Sequence, residues 1–440
     1  MIHVQRLPDE LETLVRDLWA LRLQKLQTRV SYESETDTEG QSQLFSSQSE
    51  AETTDTEATR RSRRRKDGRT SGTPSILEIV ALDYVGVLLL REPVTVADIY
   101  SWVNNGELLY YRAAKEVPLG MRERLPGTYQ HLLEPNILKQ PQKLHQAVVD
   151  QLSILSTGFG MVVPSINIPL VLYKWLRQLA LPIELFSATQ RLALILEIDF
   201  SFTPSAISDS NVALRYPEPR LMAILVMATK LLFPMDDTER HSSVATDLNA
   251  LSMDWEVWSK QQSRGRDENK DERPMGFDET LALSEQDVLS LSDDKLDQYL
   301  DWYESHMASE DIRERGRAGK DADFRRTLSR LFPLSGAQAG SKDSPDELRE
   351  SEARTNRLRQ TQGALRPKTI VRLGEDDGER ACYGYRRFRS VAELEHVSRL
   401  FYDRAAELAG LSIEAMIRAV FAIELKMQKV EERRRRGNDE

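Results

Sequence analysis

Two stretches of this chain carry apolar side chains on nearly every face of a helix: residues 76–91 and residues 221–233. A helix of that kind has no face to offer to water, so it belongs at the centre of a bundle rather than on its surface. Glu78 and Asp83 interrupt the first stretch, and both stretches fall short of the roughly 20 residues that span a bilayer. They therefore predict two buried core helices, each wrapped by others. The chain has 440 residues, which allows two to four folding units.

The segments around the two apolar stretches read as helices too. Residues 11–27 place Leu11, Leu14, Val15, Leu18, Leu21 and Leu26 on one face. Pro93 ends the first central helix, and Thr95-Val96-Ala97-Asp98 opens a second one carrying Ile99, Trp102 and Val103. Asn104-Asn105-Gly106 is its stop signal. Residues 144–155 form a further helix, which Gly158-Phe159-Gly160 is expected to break. Three more follow at 170–181, 183–198 and 217–233, each with a proline at or just before its first turn, where the missing N–H is harmless. Asp293, Leu296, Tyr299, Leu300, Trp302 and Tyr303 mark an amphipathic helix, and residues 324–332 a short one. Residues 369–389 suggest a short strand or extended piece. Residues 391–432 read as a helical hairpin broken at Gly410-Leu411-Ser412, with Ser412 as N-cap. No strand-rich stretch and no clean repeat appears, so the class is all-α.

Composition bears on the segments between helices and on function. Residues 31–75 are almost free of apolar side chains and read as a disordered linker. Their first part is acidic (Glu33, Glu35, Asp37, Glu39, Glu50, Glu52, Asp55, Glu57) and their second part basic. The formal net charge of the whole chain is −10, so any nucleic-acid contact must use local basic patches. Arg61, Arg63, Arg64, Arg65, Lys66 and Arg69 form the densest such patch. It suits a nuclear import signal or a phosphate contact, and also a charge run neutralised by its acidic neighbour. No targeting leader is read at residues 1–10.

Signals of bond-making chemistry are missing from the sequence. Cys382 is the single cysteine, and the six histidines stand in no metal-ligand spacing. No phosphate-cradling glycine loop and no nucleophile elbow occurs. Residues 404–416 have helix-turn-helix spacing, with Ala406 and Met416 inside and Gly410 at the turn. The second helix, however, starts acidic and apolar, which favours a hairpin docked on the body over a base reader. Arg433 to Arg436 complement the dipole at that helix's end, which suffices to account for them, with a phosphate contact as a further option. Trp255, Trp258, Trp302 and Tyr303 fit core better than a partner hot spot. Tyr383, Tyr385, Arg386, Arg387, Phe388 and Arg389 alternate basic and aromatic side chains, a pattern that fits a nucleic-acid grip and a plain surface strand equally well.

The run from Leu88 through Arg91-Glu92-Pro93-Val94-Thr95-Val96-Ala97-Asp98 to Trp102 resembles the first helix junction of a cyclin-like repeat. In particular it is similar to that of the RNA polymerase I-specific TFIIB-like initiation factor family. Gly106-Glu107-Leu108-Leu109-Tyr110-Tyr111, Leu132-Leu133-Glu134-Pro135, Leu179 to Phe186 and Asp199-Phe200-Ser201-Phe202 continue the likeness. The run from Pro219-Arg220-Leu221 to Phe233-Pro234 looks like the buried helix of the family's second cyclin fold. The resemblance is strongest over residues 74–236. Members of that family begin with a cysteine-rich zinc ribbon. No cysteine precedes Cys382 here, so the family's zinc site is not expected and no cofactor is.

The resulting expectation is all-α, with two tandem cyclin-like helical bundles, a disordered N-terminal arm and a helical C-terminal tail. The ranges are an N-terminal helix at 1–30, a charged linker at 31–73, a first cyclin-like fold at 74–160 and a second, with a polar insertion, at 161–335. A linker at 336–368 and a helical tail at 369–440 complete the chain. The resemblance implies a non-enzymatic core factor subunit that binds the ribosomal DNA core promoter and recruits RNA polymerase I. Its partners would be the other core factor subunits, with TATA-binding protein a further candidate; its place is the nucleus and nucleolus, with no membrane. A cyclin-type kinase regulator and a helical scaffold without a DNA role are the alternatives.

Overall fold

The computed structural model describes residues 7–36, 75–202 apart from 112, 116, 136 and 137, and 212–272 apart from 237, 239, 243, 245, 248 and 249. It also describes 291–306, 345–370 and 385–438, with 280, 283 and 287 singly. The six arginines and lysines of the 61–69 cluster, Tyr383, Cys382 and the short helix expected at 324–332 lie outside these residues.

In chain order the helices are α1 (Glu10–Thr36), α2 (Ile76–Leu89), α3 (Val96–Asn104), α4 (Leu119–Arg122), α5 (Gly127–Leu132), α6 (Pro141–Phe159) and α7 (Ile168–Gln178). They continue as α8 (Glu184–Ile195), α9 (Pro217–Leu232), α10 (Trp255–Glu272), α11 (Asp293–His306), α12 (Pro345–Gly363), α13 (His396–Leu408) and α14 (Ile413–Asn438). Two short strands, β1 (Leu251–Ser252) and β2 (Arg366–Pro367), pair antiparallel with Leu251 opposite Pro367, and Ser242 bridges to Ile370.

The first apolar stretch is α2, and it is the hub of the first bundle. Ser75 caps it, its hydroxyl accepting from the Glu78 N–H at 3.3 Å. Val80, Ala81, Leu82, Tyr84, Val85 and Val87 are all buried beneath α1, α3 and α6. The crossing of α1 over α2 is close because Gly86 has no side chain. A Cβ there would stand 2.9 Å from the side chains of both Leu11 and Val15.

The second apolar stretch is α9, buried from Pro217 to Lys230 except at Arg220. Pro217 sits in its first turn, as the sequence predicts. Around α9 lie α8, α13 and α14, and α14 contributes Met416, Ile417, Ala419, Val420 and Ile423 to the contact. The C-terminal hairpin is thus a wall of the second bundle. Ser412 caps α14, its hydroxyl accepting from the Ala415 N–H at 3.3 Å. The two bundles share one continuous apolar core, which takes in residues from Leu18 to Ile423.

Two local expectations differ from the structure. The stretch 336–368, expected as a linker, carries α12, which lies against α7 and α10. Its Thr361 is buried, and the hydroxyl donates to the Ala180 carbonyl at 3.0 Å. Helix-favouring Glu, Arg and Gln build α12 without the apolar stripe that marks a helix in sequence. Gly158 does not break α6 either. The helix runs through it to Phe159, and Gly160 alone makes the cap, at φ 64°.

This asymmetry is testable by thermal unfolding. Gly160→Ala places a Cβ on a left-handed residue and is expected to lose about 1 kcal/mol. Gly158→Ala, in a helical turn where the new Cβ meets Lys25 at an ordinary 3.6 Å, is expected to gain up to ~1 kcal/mol.

Candidate assembly joint and nucleic-acid interface

Three helices from the two bundles, α2, α7 and α9, converge on the N-terminus of α3. Thr95 caps that helix: its hydroxyl accepts from the Asp98 N–H, and the Asp98 carboxylate accepts in return from the Thr95 N–H at 2.7 Å. Lys174 of α7 donates to the same carboxylate at 2.5 Å and to the Pro93 carbonyl at 3.2 Å. The next open donor, the N–H of Val96, points at Glu218 in the first turn of α9, 3.1 Å from each carboxyl oxygen. The Tyr84 hydroxyl of α2 donates to the same carboxyl group. Glu218 is 1% exposed and Tyr84 wholly buried.

Burial pushes the Glu218 carboxyl up to about 8, against the downward pull of the Tyr84 and Val96 hydrogen bonds. Nearby Asp98 pushes it further up, and Lys174 pulls it down. The Tyr84 hydroxyl is held far above its ordinary range, by burial first and then by Glu218. The chain entering α7 adds further ties to the end of α2. Asn167 donates to the Arg91 carbonyl at 2.8 Å, and the Arg91 guanidinium to the Ser165 carbonyl at 2.6 Å.

A second buried charge cluster fastens α14 to α9. Lys230 and Glu424 form an ion pair at 2.6 Å, with side chains 6% and 1% exposed. The Lys230 ammonium lies 4.5 Å from the Tyr385 ring centroid and 4.6 Å from that of Phe388. The Tyr385 hydroxyl donates to Glu424 at 2.5 Å. Burial lowers the Lys230 ammonium, with Glu424 opposing. A third tie is His145 of α6, which is stacked on Tyr216 and whose Nε2 lies 3.1 Å from the Ala409 carbonyl at the hairpin turn. Burial lowers this imidazole to about 4, so it is neutral, and the proton on Nε2 donates to the carbonyl.

The basic and aromatic alternation at 385–389 is divided by this packing. Tyr385 and Phe388 turn inward onto Lys230, while Arg386, Arg387 and Arg389 remain exposed. Arg387 donates to Gln428 of α14 at 2.7 Å, and Arg389 lies over the Phe421 ring at 5.3 Å. At the helix-turn-helix spacing of 404–416, Ala406 and Met416 are buried between the helices, and the side chains exposed at the start of α14 are Ser412 and Glu414, neither of them a base-reading cation or amide. Trp258 is core, its indole donating to the Leu179 carbonyl at 2.7 Å. Trp255 is half-buried beside it and Trp302 packs on the core, whereas Tyr303 is 50% exposed. Among the described residues, no cluster of three or more His, Cys, Asp or Glu side chains could hold a metal ion. No described helix is long and apolar enough to cross a membrane.

Sequence reasoning passed over Glu218, Tyr84, Lys230 and Glu424. A usable signal existed for two of them: Glu218 and Lys230 are the ionisable residues of α9 that are buried within an otherwise apolar helix. Such residues need partners from elsewhere in the fold.

The N-terminal cyclin domain of the Rrn7/TAF1B family matches residues 1–119, and the C-terminal cyclin domain of the same family matches residues 139–307. The bundles centred on α2 and α9 are therefore two tandem cyclin domains, and the hairpin α13–α14 lies beyond the matched residues. The chain is 26% identical over 323 residues to the RNA polymerase I-specific transcription initiation factor rrn7 of Schizosaccharomyces pombe, covering 68% of this chain and 58% of that protein. It is 26% identical over 229 residues to a TATA box-binding protein-associated factor of RNA polymerase I from Oryza sativa subsp. indica, covering 50% of this chain and 33% of that protein. The chain thus spans less than two thirds of the length of both curated relatives. A chain of the crystal structure of the S. cerevisiae core factor shares the fold. The TM-score is 0.52 at 14% identity, with 97% of this chain and 92% of that one covered.

The joint gives a pH-dependent stability that one substitution isolates. Folding raises the Glu218 carboxyl from the ordinary 4.5 to about 8, so the folded state holds a proton that the unfolded chain releases. This contribution is complete below about 4.5 and is lost as pH rises through about 8. Compared with Glu218→Gln, the wild-type chain is expected to lose up to about 1.4 kcal/mol per pH unit across that window in denaturant titrations. Parallel pH profiles for the two chains would refute the buried acid.

Proposed function

The chain belongs to the Rrn7/TAF1B family, and from that premise we propose that it is a TFIIB-like subunit of an RNA polymerase I core factor. In this role it binds the ribosomal DNA core promoter and recruits the polymerase for pre-rRNA synthesis. The observation that carries the reading is the match of both cyclin domains, in order, to one family of initiation factors. The relatedness to the fission yeast factor and the shared fold with a core factor chain support it. Its partners are the other core factor subunits, RNA polymerase I and promoter DNA, with TATA-binding protein as a further contact, and it acts in the nucleolus. The role is assembly, and no bond-making step is assigned to any side chain.

Chromatin immunoprecipitation of the tagged chain tests this directly. The expected result is one sharp peak at the ribosomal core promoter, with none at messenger-RNA promoters or transfer-RNA genes. Enrichment nowhere, together with a co-purifying kinase, would replace the proposal with a cyclin-type regulator.

The basic cluster at 61–69 serves import in this reading. Replacing Arg61, Arg63, Arg64, Arg65 and Lys66 by glutamine is expected to shift the tagged chain out of the nucleus. Undiminished nuclear accumulation would remove that role.

A further inference from the structure

The outer face of α14 is organised differently from the rest of the surface. The helix is buried on one side through Met416, Ile417, Val420, Ile423 and Glu424. At 100° per residue, Lys426, Lys429, Arg433 and Arg436 fall within an arc of about 80° on roughly the opposite side. All four are exposed. Between residues 425 and 436 no other side chain falls on that arc, and the two acids of the segment lie off it. Glu432 instead accepts from Gln428 at 3.0 Å. The stripe runs for about 15 Å at 1.5 Å per residue. Arg387 and Arg389, held beside α14 by Gln428 and Phe421, lie off this arc on a neighbouring side of the helix.

We propose that this stripe is a docking surface for the phosphate backbone of duplex DNA. The inference rests on the promoter-binding reading and assigns part of that binding to residues beyond both family matches. Charge complementarity favours this occupant. In a chain of net charge −10, four cations in register on a rigid rod meet a polyanion carrying one charge per ~1.7 Å of axis. A protein partner would require an apolar centre, which the arc lacks. Contacts of this kind position a protein on DNA without reading sequence.

The test uses the full chain and labelled duplexes of about 30 base pairs, one of ribosomal core promoter sequence and one scrambled. Binding is measured by fluorescence anisotropy across a salt series. K426Q/K429Q/R433Q/R436Q is expected to bind both duplexes at least ~10-fold more weakly near 0.1 M salt. Its plot of log affinity against log salt should be shallower by about 3.6 units, because four phosphate contacts are lost. R434Q/R435Q, which removes two cations off the arc, is the control and should shift the slope by less than about 1 unit. An unchanged thermal melt of the four-residue variant certifies its fold. Equal loss in the control would overturn the surface, as would an unchanged slope in the four-residue variant. Wild-type binding to polyglutamate as tight as to duplex would overturn it in favour of an acidic protein. A stripe that binds duplex in a chain absent from ribosomal DNA in cells would leave the surface standing and remove the polymerase I reading. A chain present there, with a variant that binds normally, would do the reverse.

Discussion

The carboxyl group of Glu218, buried at the N-terminus of α3, sets how the two cyclin domains meet. Apolar surfaces attract without direction, and the continuous core alone would allow one bundle to slide against the other. The Glu218 carboxyl has directional demands. It needs the Tyr84 hydroxyl from α2 and the Val96 N–H from α3 at the same time, and an unmade hydrogen bond in that setting costs about 1–3 kcal/mol. The capping box of Thr95 and Asp98, with Lys174 bound to it, satisfies the N–H groups of those two residues, and α3 presents the Val96 N–H to α9. A helix end that would otherwise require water becomes the joint between domains.

The same device recurs at the other end of α9. Lys230 is buried where α14 arrives, and Glu424, Tyr385 and Phe388 surround it. The most apolar helix of the second domain thus carries one ionisable group that binds the first domain and another that binds the C-terminal hairpin. His145 closes the circuit by joining α6 to the hairpin turn at Ala409. Removing one member of such a pair strands a buried charge, so these contacts fix arrangement more than they add stability.

Local and periodic features of this fold were legible in the sequence. The two all-round apolar runs marked the centres of both domains, and prolines marked helix starts. Thr95 and Ser412 declared themselves as caps, and the buried side of the hairpin followed from Ala406 and Met416. Long-range features were not legible. Tyr84 meets Glu218 across 134 residues, and Lys230 meets Glu424 across 194, with no pattern in either neighbourhood to name the partner. Helix α12 escaped because its residues favour helix individually while forming no stripe. The alternation at 385–389 allowed two readings, and only the position of Lys230 shows that its aromatic members face inward while its arginines face out. Of the stripe on α14, only Arg433 to Arg436 stood out in sequence, as cations suited to a helix end with a phosphate contact as a further option; Lys426 and Lys429 join them only once the buried side of the helix is known.

The distance along the chain between Lys230 and Glu424 also imposes an order in time. A ribosome adding about 5–20 residues per second would expose α9 roughly 10–40 s before the helix that covers it exists. The tie of His145 to Ala409, which spans 264 residues, waits for the same hairpin. For that interval the most apolar helix of the second domain lacks its last wall, so the nascent chain needs a temporary cover. A chaperone that binds exposed aliphatic helices is one candidate; another is an assembly partner recruited before translation ends.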